Sequence, residues 1–422
     1  MSSHHHSRNP LKQVATALRG MRERHEERHR PSGFHFAFAD RIDFLNKAAW
    51  DAVAANGSLF LRRDVLRVIE QHGPDNVLPR YALVFRADQP VAILAVQIVT
   101  VTGKHVHNEE KNRSAALSPL KRALGPAKKL VTANLNERLL VAGNLMSWGF
   151  HGIAFAPDEN HALLWPGVAE ALYRIRRAER LLGTANLVLV KDVTERESGL
   201  EALRRFSYRP METEPNMVLA IQPTWRTYED YLGALDAKYR RNAKDQVKKL
   251  TAAGCTMETL TDLEPHTNRL HELYLAVHLN ASVRLVTLPP NFIPALAGEL
   301  RDNFRCTVVR RGDELLGFVT TLRDGDTAIA YYIGFDRVAA EEGLPIYLRL
   351  LHATIADAIW WGCKSLSLGR TALEPKAALG AKPEPMSVWL RHRVPAMNWI
   401  IRGMLGAVTH DEAPERNPFK AP

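Results

Sequence analysis

Three polar side chains near the carboxyl end of the chain have types and spacing suited to binding and polarising a ligand. Arg370, Glu374 and Lys376 all lie in the stretch Gly369–Lys376, which we call the site loop. A lysine can stabilise a developing negative charge, and a carboxylate can accept a proton. The stretch Ser365–Leu368 just before the loop, in which serine and leucine alternate, predicts a strand. Because ligands tend to bind outside the carboxyl ends of sheet strands, this loop is the first candidate site.

The preceding residues predict the elements that hold the site loop. Thr327–Phe335 has the pattern of a strand, and Leu344–Gly362 has apolar residues at helical spacing. Tyr331 and Tyr332 are neighbours in the strand, so we expect their side chains to point to opposite faces. We therefore place one tyrosine in the core and Tyr332 in the site, together with Asp336 at the strand end.

The length and charge of the chain limit its organisation and its partners. A chain of 422 residues is too long for a single core. We predict a basic tail at 1–33, a first domain at 34–223, a second at 224–408 and a carboxyl-terminal tail at 409–422. The net charge of +10 favours an anionic partner such as nucleic acid, a phosphorylated cofactor or an acidic membrane, unless the basic surface is inert.

Several classes of protein receive no support from the sequence. Its cysteines, Cys255, Cys306 and Cys363, are scattered as in a reduced cytoplasmic protein. Apart from the histidine run His4–His6, which we set aside, the sequence has no HExxH motif and no clustered set of cysteines and histidines, so we predict no metal site. The sequence also contains no secretory signal and no apolar run of about 18 residues.

Two stretches favour a peripheral attachment to the inner face of a membrane. Leu11, Val14 and Leu18 recur at helical spacing among basic residues. This pattern is typical of an amphipathic helix on an anionic interface, or else of a partly disordered tail. Met397–Arg402 also combines apolar residues with a cation. We therefore expect a cytoplasmic protein for which an anionic membrane surface is a candidate partner.

The two halves of the chain resemble each other. Val84–Ala92 aligns with Val309–Gly317, and each segment is followed by another strand, a long helix and a further strand. The shared order predicts a tandem repeat with an α+β, mixed-sheet plan.

The motifs of the second half resemble those of the Fem-like acyltransferases, which are tandem domains of the GNAT superfamily. The resemblance rests on Trp225, Tyr228, Tyr231, Lys238–Asn242 and Gly254, and on Ser367–Thr371, Lys376 and Gly380. It covers most of residues 38–405. It implies an α+β fold of two tandem GNAT-like (acyl-CoA N-acyltransferase) domains with mixed central sheets.

The resemblance also implies roles for individual residues. In this family an amine attacks an activated acyl carbonyl, so a proton must be removed and an oxyanion stabilised. Tyr332, Asp336 and Glu374 are the candidate proton acceptors or substrate clamps, and Lys376 is the candidate oxyanion partner. The candidate substrate-binding residues are Trp148, His151, Tyr239, Arg240, Tyr347 and Arg370. His151 is otherwise a packed, hydrogen-bonded histidine.

Two departures from the family concern the donor. The glycine-rich turn that cradles the CoA pyrophosphate in ordinary GNAT enzymes is replaced by acidic, glycine-poor turns, Ala339–Pro345 and Pro157–His161. The long coiled coil that Fem proteins use for tRNA is missing, although Lys238–Lys249 is basic. The alternative for this helix is a solvated basic face, with Leu250 and Val247 packing on its other side.

We therefore expect an amide-forming N-acyltransferase that transfers an acyl group from acyl-CoA to a primary amine, such as a sphingoid base. Acyl-CoA is expected as a co-substrate, with no tightly bound cofactor and no DNA partner. One alternative is a Fem-type transferase that uses aminoacyl-tRNA and a peptidoglycan precursor or peptide. Another is a non-catalytic GNAT-like binding module.

Overall fold

The computed structural model describes residues 30–102, 136–281 and 284–394, the stretches 19–20, 22–23, 397–398 and 416–420, and positions 26 and 414. In chain order the strands are β1 (His35–Ala39), β2 (Val77–Arg86), β3 (Gln89–Thr102), β4 (Asn136–Ala142), β5 (Ile153–Phe155), β6 (Ala185–Thr194), β7 (Arg209–Ala220), β8 (Cys255–Leu260), β9 (Phe304–Arg311), β10 (Glu314–Asp324), β11 (Thr327–Phe335), β12 (Ser365–Ser367) and β13 (Lys382–His392). The α-helices are α1 (Lys47–Ala54), α2 (Arg63–His72), α3 (His161–Ala178), α4 (Tyr228–Ala234), α5 (Ala237–Ala252), α6 (Thr267–His278), α7 (Phe292–Leu300), α8 (Arg337–Glu341), α9 (Ile346–Trp360) and α10 (Leu373–Ala378).

Some of the predictions made from the sequence concern residues outside this described set. Leu11, Val14 and Leu18, the positions 103–135 and the positions 399–413 lie outside the described residues. Within the described residues, none of the helices combines the length and apolar character needed to cross a bilayer.

One continuous sheet runs through the described chain, in the order β1-β2-β3-β4-β6-β13-β7-β12-β11-β10-β9-β8, with β5 also paired to β3. The first half, up to residue 223, contributes β2-β3-β4-α3-β6, and the second half repeats this order as β9-β10-β11-α9-β12. Strands β4 and β6 are parallel, as are β11 and β12. The predicted mixed sheet is therefore confirmed.

The hairpins that open the two repeats turn over two residues each. Ala87 and Gly312 occupy the first turn position with φ of +51° and +60°. Two-residue hairpin turns require this left-handed conformation because it matches the twist of the flanking strands. The short turns fix the register of each hairpin and hence the position of the strand that follows it.

The last strand of each repeat is exchanged between the halves. β13, from the end of the second half, lies between β6 and β7 and is antiparallel to both. β7, from the end of the first half, pairs with β12 of the second half. The sheet is therefore continuous across the predicted boundary between residues 223 and 224.

The hydrophobic core also joins the halves. One face of the sheet packs against α1, α2, α6 and α7 in a single cluster that includes Trp50, Phe60, Phe292 and Tyr331. Helices α2 and α7, which come from different halves, contact each other in this layer. The long helices α3 and α9 cover the opposite face with separate cores.

Candidate active site

The candidate site forms where β11 and β12 diverge. The two strands pair in parallel for only three residues, from Thr327 opposite Ser365 to Ile329 opposite Ser367. Beyond this point β11 continues beside β10, whereas the chain after β12 enters the site loop and α10. The predicted site loop therefore begins at the divergence, next to the tyrosine pair of β11.

A β-bulge changes the expected directions of the two tyrosines. The register between β10 and β11 shifts so that Thr320 faces both Tyr331 and Tyr332. The Tyr332 amide donates to Thr320 Oγ1 at 3.0 Å, which satisfies the backbone group that the bulge leaves out of the ladder. Both rings enter the shared core, with centroids 4.5 Å apart. The expectation that they face opposite sides is therefore wrong, because the alternation of side chains holds only for a regular strand.

Burial keeps both phenols protonated, because it raises the pKa of Tyr331 and Tyr332 well above the usual range. Tyr332 donates its hydroxyl to the Met146 carbonyl of the first half at 3.0 Å. The Tyr331 hydroxyl is buried and has no partner in the described part of the chain. Tyr332 is therefore placed as a hydrogen-bond donor between the halves.

Lys376 is buried on α10, with only 3% of its surface exposed. Among the described residues its ammonium has no hydrogen-bond or ion-pair partner. Burial lowers the pKa of Lys376 to about 7, against an opposing effect from the Glu214 carboxylate on β7. The side chain therefore changes charge near neutral pH, which surface lysines do not do.

Arg370 ties the site loop to the first half. Its Nη1 donates to Asp192 Oδ1 at 3.0 Å, and Asp192 is fully buried on β6. Asp192 also pairs with Lys191 and accepts the Gly149 amide at 3.0 Å. The Lys191 and Arg370 charges lower the pKa of Asp192 although burial opposes them. This carboxylate therefore connects three segments: β6, the site loop and the loop at Gly143–Gly152, which we call the Trp148 loop.

Trp148 lies against the start of the site loop. Its Nε1 donates to Ser367 Oγ at 3.0 Å, and Ser367 in turn donates to Asn216 Oδ1 at 3.0 Å. Gly369 has a φ of +79°, and a Cβ there would meet the Trp148 ring at 3.0 Å. A glycine is therefore required where the two loops meet.

His151 is held by the same loop. Its Nε2 donates to the Trp148 carbonyl at 2.8 Å, so the neutral ring carries its lone pair on Nδ1. That Nδ1 is buried without a partner among the described residues. Burial lowers the pKa of His151, so the ring is neutral at physiological pH.

A cleft of about 740 Å³, which we call the central cleft, lies on the shared-core face of the sheet. Its floor comes from β6, β7, β11, β12 and β13, and its walls come from both halves. Trp148 and His151 line it, with Asn216 and Ser367 on the floor. Neither Arg370 nor Lys376 is among its lining residues, although Glu214 lies two residues from Asn216 on β7.

Two predicted catalytic carboxylates have other partners. Asp336 caps α8, accepting the amides of Val338 and Ala339, and pairs with Arg269 at 3.0 Å. Glu374 is exposed and pairs with Arg416. Neither carboxylate lies in the central cleft.

The remaining predicted substrate contacts also lie elsewhere. Tyr347 packs on Phe335, with ring centroids 5.9 Å apart. Tyr239 is half-buried at the edge of a second-half core, and Arg240 donates to the Leu235 carbonyl at 3.3 Å. The central cleft therefore contains only Trp148 and His151 of the predicted residues.

Two features that bear on donor binding are the basic helix α5 and the acidic turn before α9. Lys238, Arg241 and Lys244 are exposed on α5, and Leu250 is buried, but Val247 is 44% exposed, so the expectation that Val247 packs is wrong. Asp336 caps the start of the short helix α8, whereas the start of α9 has no side-chain cap among the described residues. The amides at the start of α9 are therefore not occupied by a carboxylate.

Asp192 and Asn216 connect the site although no motif singles them out, whereas Ser367 belongs to the motif Ser367–Thr371. The one available signal was position, because Asp192 follows the apolar strand Ala185–Val190 much as Arg370 follows β12. Strand ends of the two repeats therefore supply both partners of the ion pair between Arg370 and Asp192.

Comparisons with known proteins agree with this architecture. Residues 237–377, a third of the chain, match the family model for an acetyltransferase (GNAT) domain. The crystal structure of FemX is similar with a TM-score of 0.53 at 10% identity, over 86% of this chain and 99% of that one. A tandem GNAT protein from the clavulanic acid biosynthesis pathway has a TM-score of 0.48 at 11% identity, over 86% and 99% of the two chains. No curated protein matches the sequence. The match over 237–377 supports the predicted acyltransferase class, and the chain has the Fem-like tandem GNAT fold.

Proposed function

We propose that the protein is an N-acyltransferase that uses acyl-CoA, including long chains, to acylate a primary amine. The proposed acceptor is a lipid amine such as a sphingoid base, which gives a ceramide-type amide. The amine nitrogen attacks the thioester carbonyl and loses a proton, and the carbon–sulfur bond breaks to release CoA as its thiol. No tightly bound cofactor is required for this reaction.

The observation that carries the proposal is the buried side chain of Lys376 beyond the β11–β12 divergence, whose ammonium has no hydrogen-bond or ion-pair partner among the described residues. Burying an unpaired charge is costly, so such groups concentrate at functional sites. With a pKa of about 7, Lys376 is present in both its charged and its neutral form near neutral pH. In its charged form it can stabilise the oxyanion that develops on the carbonyl.

The central cleft supports an acceptor with an apolar chain. Leu59, Trp148, Phe150 and Ile329 contribute apolar surface to it. The unpartnered Nδ1 of His151 is suited to accept a hydrogen bond from an amine on that side of the sheet. We therefore propose that the acceptor enters through this cleft, and that the donor approaches from the side of the site loop.

The reaction is tested with purified protein, short- and long-chain acyl-CoA, and either a sphingoid base or a short alkyl amine. Release of free CoA thiol together with an amide detected by mass spectrometry supports the proposal. Ribonuclease treatment should leave the rate unchanged. Absence of an amide with every acyl-CoA and amine pair would overturn the acyl-CoA proposal.

A second candidate function uses aminoacyl-tRNA as the donor and a cell-wall precursor or peptide as the acceptor. It is favoured by α5, where Lys238, Arg241 and Lys244 are exposed and lack carboxylate partners among the described residues. The turn Ala339–Pro345 before α9 is also acidic and glycine-poor, unlike the turn that cradles CoA in ordinary GNAT enzymes. Activity that needs charged tRNA and disappears with ribonuclease would select this function over the first.

A further inference from the structure

A surface far along the sheet from the site loop carries clustered arginines beside exposed leucines. It is formed by the end of α3 with the turn Glu179–Leu181, and by the end of β13. Its cations are Arg176, Arg177, Arg180, Arg391 and Arg393. Its exposed apolar side chains are Leu181, Leu182, Val394 and Met397. We call this set the basic–apolar surface.

The two segments are neighbours in space. The Arg393 amide donates to the Asn186 carbonyl at 2.7 Å, and Asn186 lies on β6, four residues after Leu182. The Arg391 and Arg393 charges act on Arg176, and together with burial they lower its pKa. The surface is therefore a single patch and not two separate ones.

Its arginines lack the partners that arginines elsewhere in the protein have. Arg174, one turn before on α3, pairs with Glu170 at 2.6 Å. In the described part of the chain, none of the five patch arginines has a carboxylate partner; Arg176 only lies over the Tyr173 ring, at 5.6 Å. Unpaired like charges repel each other, so the patch favours an anionic partner.

The leucines indicate what kind of anion this is. Leu181 is 97% exposed and Leu182 is 71% exposed, at the tip of the turn. Adjacent leucines at a protruding tip have no role in binding nucleic acid phosphates, but they can enter the boundary between headgroups and acyl chains. Arginines beside them would meet the negative headgroups of the same bilayer.

We propose that the basic–apolar surface docks the protein on a membrane of anionic phospholipids, with Leu181 and Leu182 inserted and the arginines against the headgroups. The inference gives a location to the membrane-borne acceptor of the proposed function. It is nevertheless tested by binding alone, so it can fail or hold independently of the reaction.

The experiment is co-sedimentation of the full chain with vesicles of phosphatidylcholine alone or mixed with phosphatidylglycerol. Wild type should bind the mixed vesicles and not the neutral ones. The variant R177Q/R180Q/R393Q should bind on the order of a hundredfold more weakly, since each cation near the surface contributes several-fold. L181S/L182S should weaken binding by at least about tenfold through lost insertion.

The matched control is K238Q/R241Q/K244Q on α5, which removes the same charge from an equally exposed face. It should bind the mixed vesicles within about twofold of wild type if the patch, and not the net charge, is responsible. Equal loss in both triple variants would overturn the proposal, as would wild type that ignores anionic vesicles. Circular dichroism spectra and urea denaturation of the patch variants should match those of wild type, which shows that the variants are folded.

Discussion

The two parallel strand pairs of the sheet, β4–β6 and β11–β12, differ in what lies beyond the point where the strands separate. In the first half, β4 and β6 pair as far as Ala142 opposite Val190, and the Trp148 loop then turns back against β6. Lys191 donates to the Ser147 carbonyl at 2.8 Å, and Asp192 accepts the Gly149 amide. In the second half, β11 and β12 separate after three residues, and the segment beyond them buries Lys376. We call the β4–β6 site the closed divergence, because Lys191 and Asp192 form an ion pair there. We call the β11–β12 site the open divergence, because the Lys376 ammonium has no such partner among the described residues.

This difference indicates that the two repeats have different roles. The buried Lys191 and Asp192 of the closed divergence pair with each other, and Asp192 also pairs with Arg370 of the second half, as a rigid support requires. The closed divergence presents Trp148 and the Met146 carbonyl to the second half, where they meet Ser367 and Tyr332. The open divergence holds Lys376 without such a partner among the described residues, so the surrounding structure must keep this side chain in place.

The closed divergence is broken most severely by Asp192→Asn. The change leaves the Lys191 and Arg370 cations without their shared counterion inside the protein. We expect the free energy of unfolding to fall by about 3–5 kcal/mol, measured by urea denaturation. Asp245→Asn on the exposed face of α5 is the control, with almost no change expected. Equal stability of the two variants would show that the Asp192 cluster does not hold the halves together.

The open divergence is tested by Lys376→Met, which keeps the length of the side chain and removes its charge. We expect turnover to fall by about 10²–10³-fold, as when one oxyanion donor is lost. The variant should also be more stable than wild type at neutral pH, because the cost of burying the ammonium is removed. Lys382→Met, at the exposed start of β13, should change neither quantity. Unchanged turnover in Lys376→Met would exclude Lys376 from the reaction.

The pH dependence of stability sharpens the same contrast. The pKa of Lys376 is about 7 in the folded protein and near 10.5 when unfolded, so the unfolded chain binds more protons between these values. The free energy of unfolding of wild type should therefore rise with pH across this window, relative to Lys376→Met. The advantage of the variant should be full below pH 7 and vanish towards pH 10.5. A difference that stays constant from pH 6 to about 10 would mean that the ammonium keeps its ordinary pKa.

The contact between the two divergences is tested by a matched pair of tyrosine variants. Tyr332→Phe removes the hydroxyl that donates to Met146, and should cost about 1 kcal/mol in chemical denaturation. Tyr331→Phe removes a buried hydroxyl without a partner, and should be neutral or slightly stabilising. The reverse order of the two stabilities would contradict the hydrogen-bond assignment.

Regular patterns account for the parts of the fold that the sequence predicts. The apolar stripe of α9 and the two hairpins are periodic, so their type and order can be inferred. The bulge at Tyr331 and Tyr332 interrupts the alternation of side chains along β11, and no pattern in the sequence predicts it. The sequence does not predict β13 either, because Pro383 and Pro385 argue against a central strand. In the structure, the register shift at Pro385 accommodates the second proline.

For the candidate site, too, some features could be predicted from the sequence and others could not. Lys376 was predicted from its place after a strand, but its burial depends on α10 and β7, which come from distant parts of the chain. Asp336 and Glu374 have suitable chemistry, yet their nearest partners are Arg269 and Arg416. The chemical type of a residue is known from the sequence, whereas the tertiary structure determines which residues it contacts.

The exchange of β7 and β13 has a consequence for the newly made chain. On β13, Leu390 pairs with Leu189, which is synthesised almost half the chain earlier. Until β13 has left the ribosome, β6 and β7 each lack one strand neighbour and present an unpaired edge. The first repeat therefore cannot complete its part of the sheet before the second repeat has been synthesised as far as β13.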